Sequence, residues 1–375
     1  MKVLRELKSK KILKSVLKGS LQTNVFLILL GIFFSTLAFA AALTVTWEAG
    51  RIPGGNNNFN SNNPDRPFSC KSSTDGSTLT NDRTENPTDV TFSEDGLTVF
   101  TSNSSTTKMA NNLVAQNKLD TPFDVMSDRV AFSLNGNCND VDGLNTFSVS
   151  GGDLAITSEN IDIVNNGKIF FILDTAGRLG KFNAVTPFDV DGLVYERGIT
   201  LGFSSIDSVA FNKDGTKVYT LDSNQTLLTT YSLPGSFDIS SATQIQQVNF
   251  IDDLDVIDDT VTEKGLDIEF SPDGSAMFLM IGGDTSDRTK QYIYQFSLSK
   301  NFDVSTATKV GRFQMGAGTF QNRADDQSGD PKGFGFSSDG MKLFIVEQRR
   351  FQGVDQINQF RLECPYGLVQ CVSDP

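Results

Sequence analysis

The sequence predicts an all-β protein made of repeated four-stranded antiparallel sheets, and two recurrent phrases are the main reason. The first phrase joins a strand-end aromatic residue to a Ser-x-Asp-Gly turn and then to an apolar-aromatic pair. Its clearest copy covers residues 270–274 and is followed by Met277 and Phe278. Because Asp-Gly between two aromatic-rich runs is a strong hairpin signal, each copy predicts the first two strands of one sheet.

The turn glycines of this phrase recur along the chain. Four copies end in Asp-Gly, and a weaker copy ends in Asn-Gly. The turn glycines are Gly96, Gly167, Gly215, Gly274 and Gly340. They follow one another roughly every 50 to 70 residues, the scale expected of propeller blades that carry loop insertions.

The second phrase lies downstream of each hairpin and places an aromatic residue before an aspartate. Its copies are Phe123-Asp124, Phe188-Asp189, Phe237-Asp238 and Phe302-Asp303. It predicts a tight connection, capped by the aspartate side chain, between a third and a fourth strand. One small sheet cannot bury both of its faces, so such units stack around an axis. The sequence therefore predicts a β-propeller of four-stranded antiparallel blades.

Five hairpins favour five blades, and six or seven would follow if residues 145–156 or 48–86 hold another hairpin. The last unit reaches its third strand near Phe360 and then lacks room for a fourth. A strand from the N-terminal side would complete that blade and remove an exposed sheet edge. The candidate is residues 43–47, which we expect to pair beside residues 356–362.

The N-terminus has the composition of an export signal. Seven Lys or Arg lie within the first 18 residues, an uncharged apolar run follows at 25–45, and Ala38 and Ala40 fit a leader cleavage site. Three readings stay open: a cleaved signal peptide, an uncleaved membrane anchor, or a pilin-like helix released by cleavage after Gly19. Each places the rest of the chain outside, so we expect a secreted or cell-surface protein.

Four segments follow from these patterns. Residues 1–40 are the signal peptide or membrane anchor, which forms a hydrophobic helix, and residues 41–86 are the closing strand and an irregular strap. Residues 87–368 are the propeller, and residues 369–375 are a C-terminal tail.

Charge and cysteine content restrict the partners and the compartment. With 32 Lys and Arg against 45 Asp and Glu, the net charge of −13 disfavours nucleic-acid binding and favours divalent cations. Four cysteines in an exported chain predict two disulfides, for which three pairings exist. We prefer Cys364–Cys371 as a clip on the tail and Cys70–Cys138 as a tie to the first blade, with free buried thiols as the alternative.

The chain contains no histidine, which excludes Ser-His-Asp catalysis and His-ligated zinc. Three acidic loops are candidate calcium sites, because alternating carboxylates can supply the oxygen ligands that calcium needs. The candidate ligands are Asp140 and Asp142; Asp253 and Asp255; and Asp325, Asp326 and Asp330. The alternative is that these are solvated loops. Asp89 and Asp267 are expected near the mouth of the propeller channel, where they could bind a cation or simply line it.

The phrase Ser271-Pro272-Asp273-Gly274 resembles the repeats of Tol-type and lactonase-like β-propellers. The longer unit, with Phe302 and Asp303 before Val304, is similar to exported propeller repeats of environmental microbes and their viruses. The resemblance covers about residues 87–368 and implies the fold rather than an activity. The lactonase-like enzymes use a channel metal, often with a working histidine, and this chain has no histidine.

Three functions are consistent with the sequence. The first is an exported, non-catalytic propeller that binds a glycan, a protein or copies of itself at a cell surface. The second is a calcium-dependent hydrolase or lyase at the channel, with Asp89, Asp267 and Glu269 as the first candidates for ligands. The third is a filament subunit whose N-terminal helix packs in a fibre core.

Overall fold

The computed structural model describes most of the predicted repeat region and one segment before it. The described residues are 46–51, 87–103, 114–125, 158–190, 192–202, 205–222, 227–250, 264–282, 291–315, 330–348, 356–369 and 371. The predicted N-terminal helix lies outside them. In the part of the chain that is described, no helix is long and apolar enough to span a membrane.

The described strands form five antiparallel sheets. The N-terminal strand is β1 (Thr46–Arg51), and the first sheet contains β2 (Pro87–Phe92), β3 (Thr98–Asn103) and β4 (Val114–Lys118). The second sheet contains β5 (Ser158–Val164), β6 (Ile169–Asp174), β7 (Arg178–Asn183) and β8 (Val194–Thr200). The third contains β9 (Ile206–Phe211), β10 (Lys217–Asp222), β11 (Leu227–Ser232) and β12 (Thr243–Asn249).

The last two sheets follow the same pattern. The fourth contains β13 (Lys264–Phe270), β14 (Ala276–Gly282), β15 (Tyr292–Leu298) and β16 (Ala307–Gln314), with a short 3-10 helix (Val304–Thr306) before β16. The fifth contains β17 (Asp330–Phe336), β18 (Lys342–Gln348) and β19 (Gln356–Arg361). The four-stranded meander is thus confirmed for the second, third and fourth sheets, whereas the first has three strands among the described residues.

The fifth sheet is completed by the N-terminal strand, as the sequence predicts. β1 pairs antiparallel with β19, from Thr46 opposite Arg361 to Arg51 opposite Ile357. The pairing strand therefore extends beyond the predicted 43–47 to Arg51, and residues 43–45 lie outside the described part. Without β1, the backbone groups along one side of β19 would form an open sheet edge.

The sheets form a ring in a propeller arrangement, because each inner strand contacts the next and the last contacts the first. β2 packs against both β5 and β17. Between the fifth and first sheets, Lys342 Nζ donates a hydrogen bond to the Phe123 carbonyl at 2.9 Å. The Val125 N–H donates to Gln359 Oε1 at 3.0 Å. These bonds tie together sheets that are more than 200 residues apart in sequence.

Aromatic side chains fill the spaces between neighbouring sheets. The Phe171 and Phe211 rings stack with centroids 4.1 Å apart across the second and third sheets. Phe92 and Phe344 meet at 4.3 Å across the first and fifth sheets. The recurring aromatic residues of the first phrase are thus contacts between blades.

The two recurrent phrases pack against each other within each unit. Phe302 has a left-handed φ of 58° and donates its N–H to the Gly274 carbonyl at 2.9 Å. Gly274 has a φ of 74°, and its open α-carbon face lies against the Phe302 ring. A β-carbon on Gly274 would overlap that ring, so glycine is required by both backbone and packing. The equivalent pairs are Gly96 with Phe123, Gly167 with Phe188, Gly215 with Phe237 and Gly340 with Tyr366.

The aspartates of both phrases stabilise turns, as expected from the sequence. Asp273 Oδ1 accepts hydrogen bonds from Ser271 Oγ at 2.6 Å and from the Ser275 N–H at 3.0 Å. Asp303 accepts from the Ser305 N–H at 3.2 Å and caps the 3-10 helix.

The predicted disulfide between Cys364 and Cys371 is present, with Cα atoms 5.7 Å apart. It closes the short segment that follows β19. The second expected pair, Cys70 and Cys138, lies outside the described residues.

Replacing the turn glycine should destabilise the fold. We expect Gly274→Ala to lower the free energy of unfolding by at least about 2 kcal/mol, because alanine is strained at positive φ and its methyl group overlaps Phe302. Gly235→Ala is the matched control, because its β-carbon would meet only ordinary contacts, and its effect should stay within about 1 kcal/mol. Equal urea midpoints for the two variants would contradict the proposed packing role.

Candidate binding pocket in the channel

Most of the predicted calcium ligands lie outside the described residues. These are Asp140, Asp142, Asp253, Asp255, Asp325 and Asp326. Asp330 is the first residue of β17, and its backbone pairs with Gln348. Within the described ranges, no group of three or more His, Cys, Asp or Glu side chains is arranged to hold a metal ion.

Every inner strand contains a β-bulge at the same place. The bulges come immediately before Asp89, Asn160, Ser208, Asp267 and Gly333. A bulge interrupts the ladder and redirects the next side chain. The innermost strand of each sheet also has no ladder partner on its channel side, so a backbone N–H that faces the channel needs another acceptor. We call these five residues the inner ring.

Four inner-ring side chains supply that acceptor to the following blade. The four bonds join Asp89 Oδ2 to the Ile161 N–H (3.0 Å), Asn160 Oδ1 to the Val209 N–H (3.2 Å), Ser208 Oγ to the Ile268 N–H (3.2 Å), and Asp267 Oδ2 to the Phe334 N–H (2.8 Å). Each of the first four sheets is therefore attached to the next through a buried side chain that would otherwise be costly to desolvate.

The fifth inner-ring position is a glycine because β2 lies directly against it. A β-carbon on Gly333 would overlap the Thr88 carbonyl oxygen and approach the Asp89 α-carbon to 2.7 Å. With no side chain available there, the Val90 N–H is bound instead by Asp89 Oδ1 at 2.7 Å. Asp89 thus accepts hydrogen bonds from two sheets, its own and the second, beside the contact between the first and fifth sheets.

Asn160 and Ser208 bring Asp89 and Asp267 together. Asn160 Nδ2 donates to Asp89 Oδ2 at 2.8 Å and to Asp267 Oδ1 at 3.4 Å. Ser208 Oγ donates to Asp267 Oδ1 at 2.6 Å. The expectation that both acids lie at the channel is therefore met, but they are buried within it and all four of their oxygens accept hydrogen bonds. This arrangement is that of a structural network rather than of a calcium ligand set.

A second layer of residues lies two positions further along the inner strands. Its members are Thr91, Asp162, Ala210, Glu269 and Gly335. Asp162 accepts hydrogen bonds from the N–H groups of Phe211 and Ile163, and Glu269 accepts from the N–H of Phe270. Ala210, in the sheet between those of the two acids, has only a methyl side chain and leaves space beside them.

Burial raises the pKa of all four channel carboxyls. The pKa of Asp162 rises to about 7 because burial disfavours its charged form. The pKa of Asp267 also rises to about 7 through burial, although hydrogen bonds from Ser208 and two N–H groups oppose the change. Burial and then the charge of Asp267 raise the pKa of Asp89 and Glu269 well above the usual range.

A pocket of about 400 Å³ opens over the second layer, on the side of the ring formed by the Asp-Gly turns. Asp162, Ala210 and Glu269 are among its lining residues. Aromatic lining residues are Phe92, Phe188, Phe211, Phe237, Phe270 and Phe302, and polar ones include Glu94, Asn165, Asn166, Asn212 and Lys213. Its size and its mixture of aromatic and polar groups are typical of small-molecule sites.

Sequence reasoning identified Asp89, Asp267 and Glu269 but missed Asn160, Ser208 and Asp162. The signal that could have found them is positional. Each residue lies a fixed distance before the first-phrase turn of its blade, so aligning the five phrases places Asn160 and Ser208 level with the two aspartates.

No known protein-family model matches this chain, and no curated protein sequence matches it. Several solved structures are similar at low identity. One is hydrazine synthase from Kuenenia stuttgartiensis, with 12% identity and a TM-score of 0.37 over 72% of this chain. This chain spans 58% of the length of that one.

Two similar structures are described as lactonases. A putative 6-phosphogluconolactonase from Bacteroides uniformis has 16% identity and a TM-score of 0.37, over 74% of this chain and 71% of its own. A periplasmic gluconolactonase from Pseudomonas aeruginosa has 15% identity and a TM-score of 0.39, over 77% and 69%. At these scores the similarity supports no argument about activity. The assignment of the fold depends instead on the strand order and contacts of this chain.

The channel acids should make stability depend on pH. A carboxyl whose pKa is raised by folding favours the folded state most at low pH, and this stability is lost as pH rises from the unfolded pKa near 4 to the folded pKa near 7. We therefore expect the melting temperature to fall between pH 5 and pH 8.

Asp162→Asn should reduce that dependence and should raise the melting temperature at pH 8 more than at pH 5, because an amide keeps the acceptor and removes the charge. Glu363→Gln, at an exposed position outside the channel, is the control and should leave the profile unchanged. A stability profile of Asp162→Asn parallel to that of the natural chain would contradict the assignment.

Proposed function

We propose that this protein is an exported, non-catalytic β-propeller of five blades that binds a glycan at a cell surface through the channel pocket. The five described sheets, the contact between the first and the last, and the N-terminal strand that completes the fifth support the blade number. The pocket of about 400 Å³ is the observation on which the binding function rests.

The chemistry of the pocket favours binding of a saccharide over catalysis. Half-buried phenylalanine faces can pack on a sugar ring, and Asn166, Asn212 and the carboxyls can pair with hydroxyl groups. The chain has no histidine to act as a general base near neutral pH. The channel aspartates that a calcium-dependent hydrolase would need already accept hydrogen bonds from neighbouring blades.

Export is the second part of the proposal and rests on the N-terminal sequence. The basic segment, the apolar run at 25–45 and the Ala38 and Ala40 pair support it. N-terminal sequencing of the protein from its host separates the alternatives. A start at Ala41 supports a free secreted ring, a retained 25–45 segment supports an anchored one, and a start at Ser20 would favour the filament subunit instead.

Binding can be tested with a panel of immobilised glycans and two variants that fill the pocket. We expect Ala210→Trp, on the pocket floor, and Lys213→Trp, at its exposed rim, to reduce glycan binding at least about tenfold by occupying the space for the ligand.

Val185→Trp is the matched control, because Val185 is 74% exposed and does not line the pocket, and it should bind like the natural chain. Lys213→Trp changes an exposed residue, so it still tests the pocket if the buried Ala210→Trp variant does not fold. Undiminished binding by a folded Lys213→Trp and a folded Ala210→Trp, or no glycan bound by the natural chain, would overturn the proposed site.

A further inference from the structure

The pocket is lined by two acidic side chains that lie close to two further acids in the channel. Asp162 comes from the second sheet and Glu269 from the fourth, and Asp89 and Asp267 lie behind them in the channel. Among the described residues, no Lys or Arg forms an ion pair with Asp162 or Glu269. Lys213, which also lines the pocket, is exposed at its rim together with Glu94.

Glu269 differs from the inner-ring acids in what it binds. Asp89 and Asp267 each accept a hydrogen bond from the N–H of the next residue on one oxygen and from the backbone of the following sheet on the other. The bond of Glu269 is to the N–H of the next residue, Phe270, within its own strand. Its carboxyl is therefore the one that retains capacity to accept bonds from a ligand, since a carboxylate can accept about four.

The surroundings of Glu269 suit an organic cation. Ala210 leaves space between the two acids, and the neighbouring lining residues Phe211 and Phe270 provide aromatic rings. A cation within about 6 Å of an aromatic face is stabilised electrostatically, most strongly where water is excluded. A calcium ion is less suited, because it needs six to eight oxygen ligands and the inner-ring oxygens are already bonded.

We propose that the ligand of the pocket carries a protonated amine, that Glu269 is its principal counter-ion, and that Asp162 is the second. This inference rests on the proposed binding function and specifies the class of ligand. The shared chemistry is a primary ammonium group, which an amino sugar or a lysine side chain could supply.

Isothermal titration calorimetry with matched probes distinguishes these sources. Glucosamine, glucose and N-acetylglucosamine share the sugar ring and differ in the group at one position, which is charged only in glucosamine. Nα-acetyl-lysine methylamide offers the ammonium group without a sugar. We expect glucosamine to bind at least roughly tenfold more tightly than the two neutral sugars, the effect of one charged hydrogen bond. Comparable affinity for the lysine derivative would assign the site to protein ligands.

Glu269→Gln tests the counter-ion directly, because it preserves the shape of the side chain and removes its charge. Glucosamine affinity should fall roughly tenfold to hundredfold, whereas any affinity for glucose should change little. Asp162→Asn should produce a smaller loss in the same direction. Glu363→Gln, exposed and remote from the lining residues, should bind glucosamine like the natural chain.

The pH dependence gives a readout that a purely structural role would not produce. The titratable groups that line the pocket are Glu269 and Asp162 from the inner strands and Glu94 and Lys213 from the rim. Asp267 and Asp89 lie behind Glu269 and act on it through their charge, and Tyr366 is close enough to respond to the charge of Glu269. A cation favours the ionised carboxyls, so binding should release protons and strengthen from pH 5 to pH 7. Titrations in buffers of different ionisation enthalpy measure that release.

The outcomes separate this inference from the proposed function. Preference for a neutral sugar, with binding lost in Lys213→Trp but kept in Glu269→Gln, would leave the glycan pocket intact and overturn the amine. Tight binding of calcium chloride alone that Glu269→Gln abolishes would also overturn it. Absence of binding by all four probes, with a bound glycan unaffected by Lys213→Trp, would overturn both.

Discussion

The hydrogen bonds that pass from the inner-ring side chains of one sheet to the backbone of the next are the constraint on which the rest of this structure depends. The innermost strand of each sheet has no ladder partner on its channel side, and a buried N–H without a partner costs about 1–3 kcal/mol. Because the partner comes from the preceding sheet at four of the five positions, most blades are incomplete without their neighbour. Neighbouring blades therefore stabilise one another at the centre of the ring as well as through the aromatic contacts between them.

This constraint also explains where the negative charge lies. An acceptor side chain must be short, polar and directed into the channel, which limits the choice to residues such as aspartate, asparagine and serine. Asparagine and serine occupy two positions, and they donate to the aspartates as well as accepting. Glu269 in the second layer lies close enough to Asp267 and Asp89 that their charges add to burial in raising its pKa.

The sequence predicted the parts of the fold that depend on local signals. The Asp-Gly turns, the antiparallel meander, the Cys364–Cys371 disulfide and the pairing of the N-terminal strand with the last blade follow from residue types at fixed spacing. The contact of Phe302 with Gly274 did not follow, since it depends on a left-handed phenylalanine that no propensity indicates. The bulges were equally hidden, because a bulge is a property of two paired strands.

The pocket could be predicted only in part, for a related reason. Glu269 was identifiable as an acid near the channel, but the space beside it depends on Ala210 in the third sheet. Gly335 in the fifth sheet is required for a different reason, because a β-carbon there would meet the Val90 carbonyl oxygen of β2 at 2.6 Å. Among the described residues, Glu269 accepts a hydrogen bond only within its own strand, and a ligand with positive charge would supply the missing compensation.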